Sequence, residues 1–205
     1  MTTIIDYGVG NIASIENMLR RLDIPVCVGT GPKDLERAKR IILPGVGSFD
    51  TGMRNLRQSG LLPALEERVL GDRVPVLGIC LGMQLFANGS EEGAERGLGW
   101  IPGFCRRFPP EVADKRLRIP HMGWNSVTPL PRSRLFEPAA QNLHYYFVHS
   151  YFFECDSEGD VSAKTSYGID FSSAIERDNI FGVQFHPEKS HRFGLSLFNS
   201  FVTQT

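Results

Sequence analysis

Three side chains could form a reactive set: Cys80, His186 and Glu188. Cys80 sits in Gly78-Ile79-Cys80-Leu81-Gly82, between the apolar run Val74–Ile79 and the helix-forming run Leu81–Phe86. A strand, a sharp turn and a helix make the setting of a nucleophile elbow, here with sulfur in place of a serine oxygen. Such a turn lifts the sulfur out of the sheet edge. It also sets the thiol at a helix start, where unpaired N–H groups favour a thiolate. Gly78 and Gly82 leave room for the tight turn and close packing. A free cysteine is more often a small core hydrophobe, and that is the reading for Cys27, Cys105 and Cys155.

His186-Pro187-Glu188 follows the apolar stretch Gly182–Phe185. Proline favours an extended residue before it, and in an extended segment residues i and i+2 share a face. His186 and Glu188 are therefore expected to project together. The imidazole would take the thiol proton, or pair as imidazolium with the thiolate, and later protonate a leaving amine. The carboxylate would orient the ring and stabilise its charged form. A third element is the loop Pro44-Gly45-Val46-Gly47-Ser48. A backbone N–H from Val46 or Gly47 and one from Leu81 could form an oxyanion hole, each donor contributing roughly 3–4 kcal/mol to a tetrahedral intermediate. The segment Gly8-Val9-Gly10-Asn11-Ile12-Ala13 fits a dinucleotide fingerprint. The second strand ends Cys27-Val28-Gly29-Thr30 without the acid that fingerprint needs. These glycines read instead as a strand-to-helix turn.

The elements that must position these groups alternate. Short strands are expected at Thr2–Asp6, Pro25–Gly29, Arg40–Leu43 and Val74–Ile79. Helices are expected over Ile12–Leu22, Asp34–Lys39 and Phe49–Leu70, the last broken near Gly60. This predicts an α/β fold, a mostly parallel central sheet with helices on both faces. From Leu98 to Phe185 the chain changes to short aromatic and β-branched runs, which predict an additional antiparallel or mixed sheet joined to the first. Asp178-Asn179 reads as a hairpin turn, and Ser190 as the N-cap of a closing helix with Phe193, Leu197 and Phe201 on one face. One domain over residues 1–205 is expected.

The formal net charge of -1 gives no reason to expect nucleic acid or a membrane surface as partner. Arg106-Arg107 and the group Lys115, Arg116 and Arg118 read as solvated faces. The four scattered cysteines lack zinc spacing, so no metal and no cofactor is expected, and a reduced, cytoplasmic setting fits. The N-terminus has neither the basic segment nor the apolar run of a signal peptide.

Gly78-Ile79-Cys80-Leu81-Gly82-Met83-Gln84 together with His186-Pro187-Glu188-Lys189-Ser190 resembles the class I (triad) glutamine amidotransferases. Asp6-Tyr7-Gly8-Val9-Gly10-Asn11, Pro44-Gly45-Val46-Gly47, Pro120-His121-Met122-Gly123-Trp124-Asn125 and Tyr145–Tyr151 look like further signatures of glutaminase subunits in that family that serve histidine biosynthesis. The resemblance implies hydrolysis of L-glutamine to glutamate and ammonia through a Cys80 thioester. It also implies a heterodimer with a (β/α)8-barrel cyclase that turns the ammonia into imidazole glycerol phosphate. By motif position it points to Gly47, Gln84, Glu92, His149 and Ser150 as glutamine-binding. Asn11, His121, Trp124 and Lys189 are assigned to a structural or partner-facing surface. The same chemistry serving another synthase, such as a surface-sugar amidotransferase, stays open on the residues alone. So do a non-catalytic scaffold and a cysteine hydrolase of peptides or isonitriles.

Overall fold

The computed structural model of the protein describes residues 1–114, 117–137 and 142–205. Lys115 and Arg116, expected on a solvated face, lie outside the described residues. The first part of the chain alternates as its periodicity predicts. The strands are β1 (Thr2–Ile5), β2 (Val26–Gly29), β3 (Arg40–Leu43) and β4 (Val76–Ile79). The helices are α1 (Ile12–Arg20), α2 (Pro32–Leu35), α3 (Phe49–Gln58), α4 (Leu62–Glu66), which runs into one π-turn, and α5 (Leu81–Gln84). α2 starts earlier than expected because Pro32 suits a first helical turn and the Asp34 carboxylate accepts the N–H groups of Thr30 and Gly31.

The second part supplies β5 (Gly103–Arg107), α6 (Glu111–Asp114), β6 (His121–Pro129), β7 (Leu143–His149), β8 (Tyr151–Cys155), β9 (Val161–Tyr167), β10 (Ile169–Arg177), β11 (Ile180–Val183) and α7 (His191–Gln204). The strands join in one sheet of order β2-β1-β3-β4-β11-β10-β9-β6-β7, with β5 and β8 attached through β10. From β2 to β11 all neighbours are parallel; beyond β11 all are antiparallel. The expected parallel sheet and the expected mixed region are thus two halves of one surface. Their join is the β10–β11 hairpin, which turns at Asp178-Asn179 as the sequence predicts.

Alternation along the strands sorts side chains onto two faces. Ile4 of β1 and Ile42 of β3 pack under α1 and α7, while Ile5, Ile41 and Leu43 pack under α3 and α4. On α7, Leu197, Phe198 and Phe201 are buried, each contributing about 2–3 kcal/mol of apolar burial. Arg106 pairs with Glu91 and Glu154 on an exposed face, the solvated arrangement expected of it.

Register sets where the strands end. Leu43 of β3 and Gly182 of β11 both lie opposite Gly78 of β4. The segments that leave these strands therefore emerge side by side at one sheet edge, where parallel α/β sheets place their ligands. They are the Pro44–Ser48 loop, Cys80 and His186.

Candidate active site

Cys80 adopts φ 54° and ψ -108°, a left-handed conformation that costs roughly 1–3 kcal/mol for a side-chain-bearing residue. Neighbouring contacts hold it there. The Cys80 N–H donates to the Val183 carbonyl at 2.8 Å, tying the elbow to β11. Gly82 lets the elbow press onto β3, since a Cβ there would lie 1.9 Å from the Leu43 carbonyl oxygen. The glycines thus permit close approach, while the turn's strain rests on the cysteine itself.

His186 is extended, as a residue before proline should be, and its N–H donates to the Tyr146 carbonyl of β7 at 2.8 Å. The extended run stops there. Pro187–Lys189 form a 3-10 turn, so the two side chains meet by a turn and not by strand alternation. The outcome is the expected pair: His186 Nδ1 and Glu188 Oε1 lie 2.8 Å apart, both side chains 1% exposed. That bond directs Nε2 away from the carboxylate. Nε2 is buried and has no hydrogen-bond partner among the described residues. Burial works against a charged ring, but the negative Cys80 sulfur and then Glu188 outweigh it and push His186 up to about 10. Ser190 takes the N-cap position of α7 as expected, but its side chain makes no cap hydrogen bond. Its hydroxyl donates to the His186 carbonyl at 2.6 Å and accepts from the Tyr146 N–H, bracing the histidine turn instead.

Cys80 and His186 open into a cavity of about 270 Å3, also lined by Val46, Gly47, Leu81, Gln84, Glu92, His149, Ser150 and Tyr151. Every residue expected in the triad's neighbourhood or at a glutamine site is at this wall or, for Glu188, directly behind it. Gly47 has φ 106°, open to glycine at no steric cost. Tyr7, at the exit of β1, donates to the Pro44 carbonyl at 2.6 Å and anchors the loop. Burial, then the Cys80 charge, keeps this phenol neutral.

The polar wall is specific about what it leaves free. Gln84 is buried, not solvent-facing, and its Nε2 donates to the Tyr151 carbonyl and to Gln184 Oε1. Only its own Oε1 can meet a ligand. Glu92 Oε2 accepts the Phe49 N–H at the start of α3. Asp50 of α3 in turn accepts the N–H groups of Glu95 and Ala94, which clasps the Glu92 loop and holds the Asp50 carboxyl below its usual range. His149 Nδ1 donates to the Tyr151 carbonyl at 2.8 Å, and its Nε2 lies 3.1 Å from His121 Nδ1. With both nitrogens taken inside the protein, His149 forms a wall of the cavity, not a hydrogen-bonding group for a ligand.

The partner-facing set divides. Trp124 is 48% exposed and stacks on His191, Lys189 is exposed with Nζ 5.5 Å from the Tyr146 ring, and Asn11 is half-buried before α1. His121 does not belong with them. It lies on strand β6, is 2% exposed, and stacks between Tyr167 at 3.9 Å and Phe147 at 4.7 Å. Alternation along β6 turns His121 inward and leaves Met122 outward, 61% exposed. Sequence reasoning also missed Gln184, fully buried with Nε2 3.7 Å from the Cys80 sulfur. The available signal was a lone amide in the apolar run Val183-Gln184-Phe185, two residues before His186.

The model of the family described as glutamine amidotransferase class-I matches residues 3–204. The chain is 48% identical over 201 residues to "Imidazole glycerol phosphate synthase subunit HisH" of Bdellovibrio bacteriovorus, covering 98% of each. It is 44% identical over 204 residues to "Imidazole glycerol phosphate synthase subunit HisH 2" of Methanococcus maripaludis, covering 100% of each. Among solved structures, a crystal structure of glutamine amidotransferase superposes with TM-score 0.76 at 20% identity, over 98% of this chain and 96% of that one. A structure of PurLQS from Thermotoga maritima superposes with TM-score 0.73 at 15% identity, over 99% and 97%. The two structures share the fold. The sequence matches, over nearly the whole length, show that this chain belongs to the class-I glutamine amidotransferases.

Proposed function

We propose that this chain, acting as one unit over residues 1–205, is the glutaminase subunit of imidazole glycerol phosphate synthase in histidine biosynthesis. The observation that carries the reading is the buried His186–Glu188 pair, with His186 and Cys80 lining one cavity. Near-full-length relatives bearing that subunit name support the pathway.

Glutamine enters with its side-chain amide against Cys80. The thiolate attacks the amide carbon, and the carbonyl oxygen becomes an oxyanion that N–H groups of Val46 or Gly47 and Leu81 stabilise. His186, as imidazolium, gives its Nε2 proton to the leaving nitrogen, and ammonia departs. The thioester is then attacked by water, which loses its proton to His186; glutamate leaves and the thiolate is restored. Glu188 orients the ring and balances its charge whenever it is protonated. Gln84 Oε1, Glu92 and the Ser150 segment receive the polar head of glutamine, with Gly47 and His149 as walls.

Free ammonia would be protonated and lost in bulk water, so the site works docked to a (β/α)8-barrel cyclase in the cytoplasm. The exposed side chains of Met122, Trp124 and Lys189, with half-buried Asn11, form the docking surface. Among the described residues no helix is long and apolar enough to cross a membrane. The test is co-purification with the cyclase and an assay for glutamine-dependent imidazole glycerol phosphate. Glutamate release that never yields this product with the cyclase present would assign the subunit to another synthase; no glutamate release at all would end the glutaminase reading.

A further inference from the structure

We propose that the side-chain amide of Gln184 donates a hydrogen bond to the Cys80 sulfur and holds it as a thiolate, with Gln84 and the Tyr151 carbonyl fixing the direction of that amide. The inference rests on Cys80 being the nucleophile and adds a residue that touches the reacting atom.

The two ends of an amide look alike, so the direction has to be argued from bonding. The Tyr151 carbonyl can only accept. It receives His149 Nδ1–H at 2.8 Å and an N–H of Gln84 at 2.9 Å. The Gln84 nitrogen therefore lies on that side, and its second N–H points to Gln184 at 3.0 Å. The end of Gln184 that meets it must be the oxygen. What remains, the NH2 end, faces the sulfur at 3.7 Å, ordinary for a bond to sulfur. Reversing Gln184, itself fully buried, would set nitrogen against nitrogen at Gln84 and oxygen against a negative sulfur, with no water at its own amide to absorb the error. No other orientation satisfies all four groups.

The position also follows from the fold. Gln184 and His186 are two residues apart at the exit of β11, so alternation aims both at the elbow. They serve the sulfur in different ways: an imidazolium that exchanges a proton with it, and an amide that cannot. The amide stabilises negative sulfur before glutamine arrives and needs no proton movement to do so. A bond to a charged acceptor is worth more than one to a neutral group, so the thiolate gains over the thiol.

The test measures Cys80 alkylation by iodoacetamide as a function of pH, in wild type, Gln184→Met and Gln84→Met. Methionine keeps the length and volume of the side chain and removes the donor. In Gln184→Met the half-maximal pH should move up by about one unit, and alkylation on the acid side of the wild-type midpoint should slow roughly tenfold. The high-pH plateau should not fall, because a less stabilised thiolate is at least as nucleophilic. A merely structural defect would lower the plateau and leave the midpoint in place, which would overturn the proposal. Gln84→Met, which frees the Gln184 amide to turn, should shift the midpoint in the same direction by less. Should Gln184→Met fail to fold, wild-type protein with 15N-labelled glutamine decides: the Gln184 side-chain amide resonances must move through the pH range of alkylation and stay fixed in Cys80→Ala. Resonances indifferent to the sulfur would sink the idea. Iodoacetamide needs no glutamine site, so a wild type that fails to hydrolyse glutamine counts against the proposed function alone.

Discussion

Two buried imidazoles border one cavity and are driven in opposite directions. His186 is raised to about 10 and His149 is lowered to about 3. Burial penalises the charged form of both and is the largest influence on each. Their surroundings differ. His186 sits between a negative sulfur and a carboxylate, and these override burial. His149 sits between a backbone carbonyl and another histidine, so burial prevails and His121 adds to it. His121 itself is lowered to about 4 by burial. One region is thus built to hold a proton, and the other to stay neutral and keep its shape. Depth alone does not decide which histidine holds a proton; the charge facing it does.

Removing the sulfur breaks the contrast most directly. Cys80→Ala should abolish glutamine hydrolysis, a loss of at least about ten-thousand-fold. It should also lower the His186 titration midpoint followed by NMR, because the sulfur is the largest influence raising it. A midpoint that stays where it was would move the whole effect onto Glu188. Glu188→Gln removes the second anion and leaves the shape. The turnover rate should fall roughly a hundredfold to ten-thousandfold with little change in KM, as for other carboxylates that back a catalytic imidazole. Wild-type turnover in that variant would show that the 2.8 Å bond has no catalytic weight.

The smallest effect sharpens the comparison through stability. His121 and His149 titrate lower when folded than when unfolded, so the unfolded chain binds more protons between the two values. Their contribution is complete above about pH 6.5 and is lost as the pH falls toward 4 and then 3. His186 has the opposite sign. Its contribution is complete below about pH 6.5 and is lost as the pH rises through about 10. Denaturant unfolding at pH 5, 7 and 9 should therefore reveal an acid limb that His149→Gln flattens by on the order of 1–3 kcal/mol. An acid limb untouched by that change would place the sensitivity elsewhere.

Local chemistry in the chain was enough to find the elbow and the His-Pro-Glu turn, because each is encoded by neighbours: a strand run, flanking glycines, a proline. The parallel half was legible for the same reason, since every strand announces itself before a helix. Partners distant in sequence were not legible. Tyr7 reaches Pro44 across 37 positions, Gln84 reaches Gln184 across 100, and His121 meets His149 only because β6 and β7 pair in register. His121 looked outward in a motif beside Trp124; the pleat of β6 turned it in. Extended geometry predicts the His186–Glu188 pair, but a 3-10 turn is what brings the two side chains together.

The parallel register of β3, β4 and β11 has a practical consequence. It ties Leu43, Gly78 and Gly182 into one row, so sulfur, imidazole and loop keep their spacing for as long as that pairing holds. The opposite rim of the same strands is free of that duty. The Asp178-Asn179 hairpin enters β11 from there, a strand's length from the sulfur, at roughly 3.3 Å per residue. A fluorophore or affinity tag grafted at that hairpin would report on the enzyme without disturbing its working end.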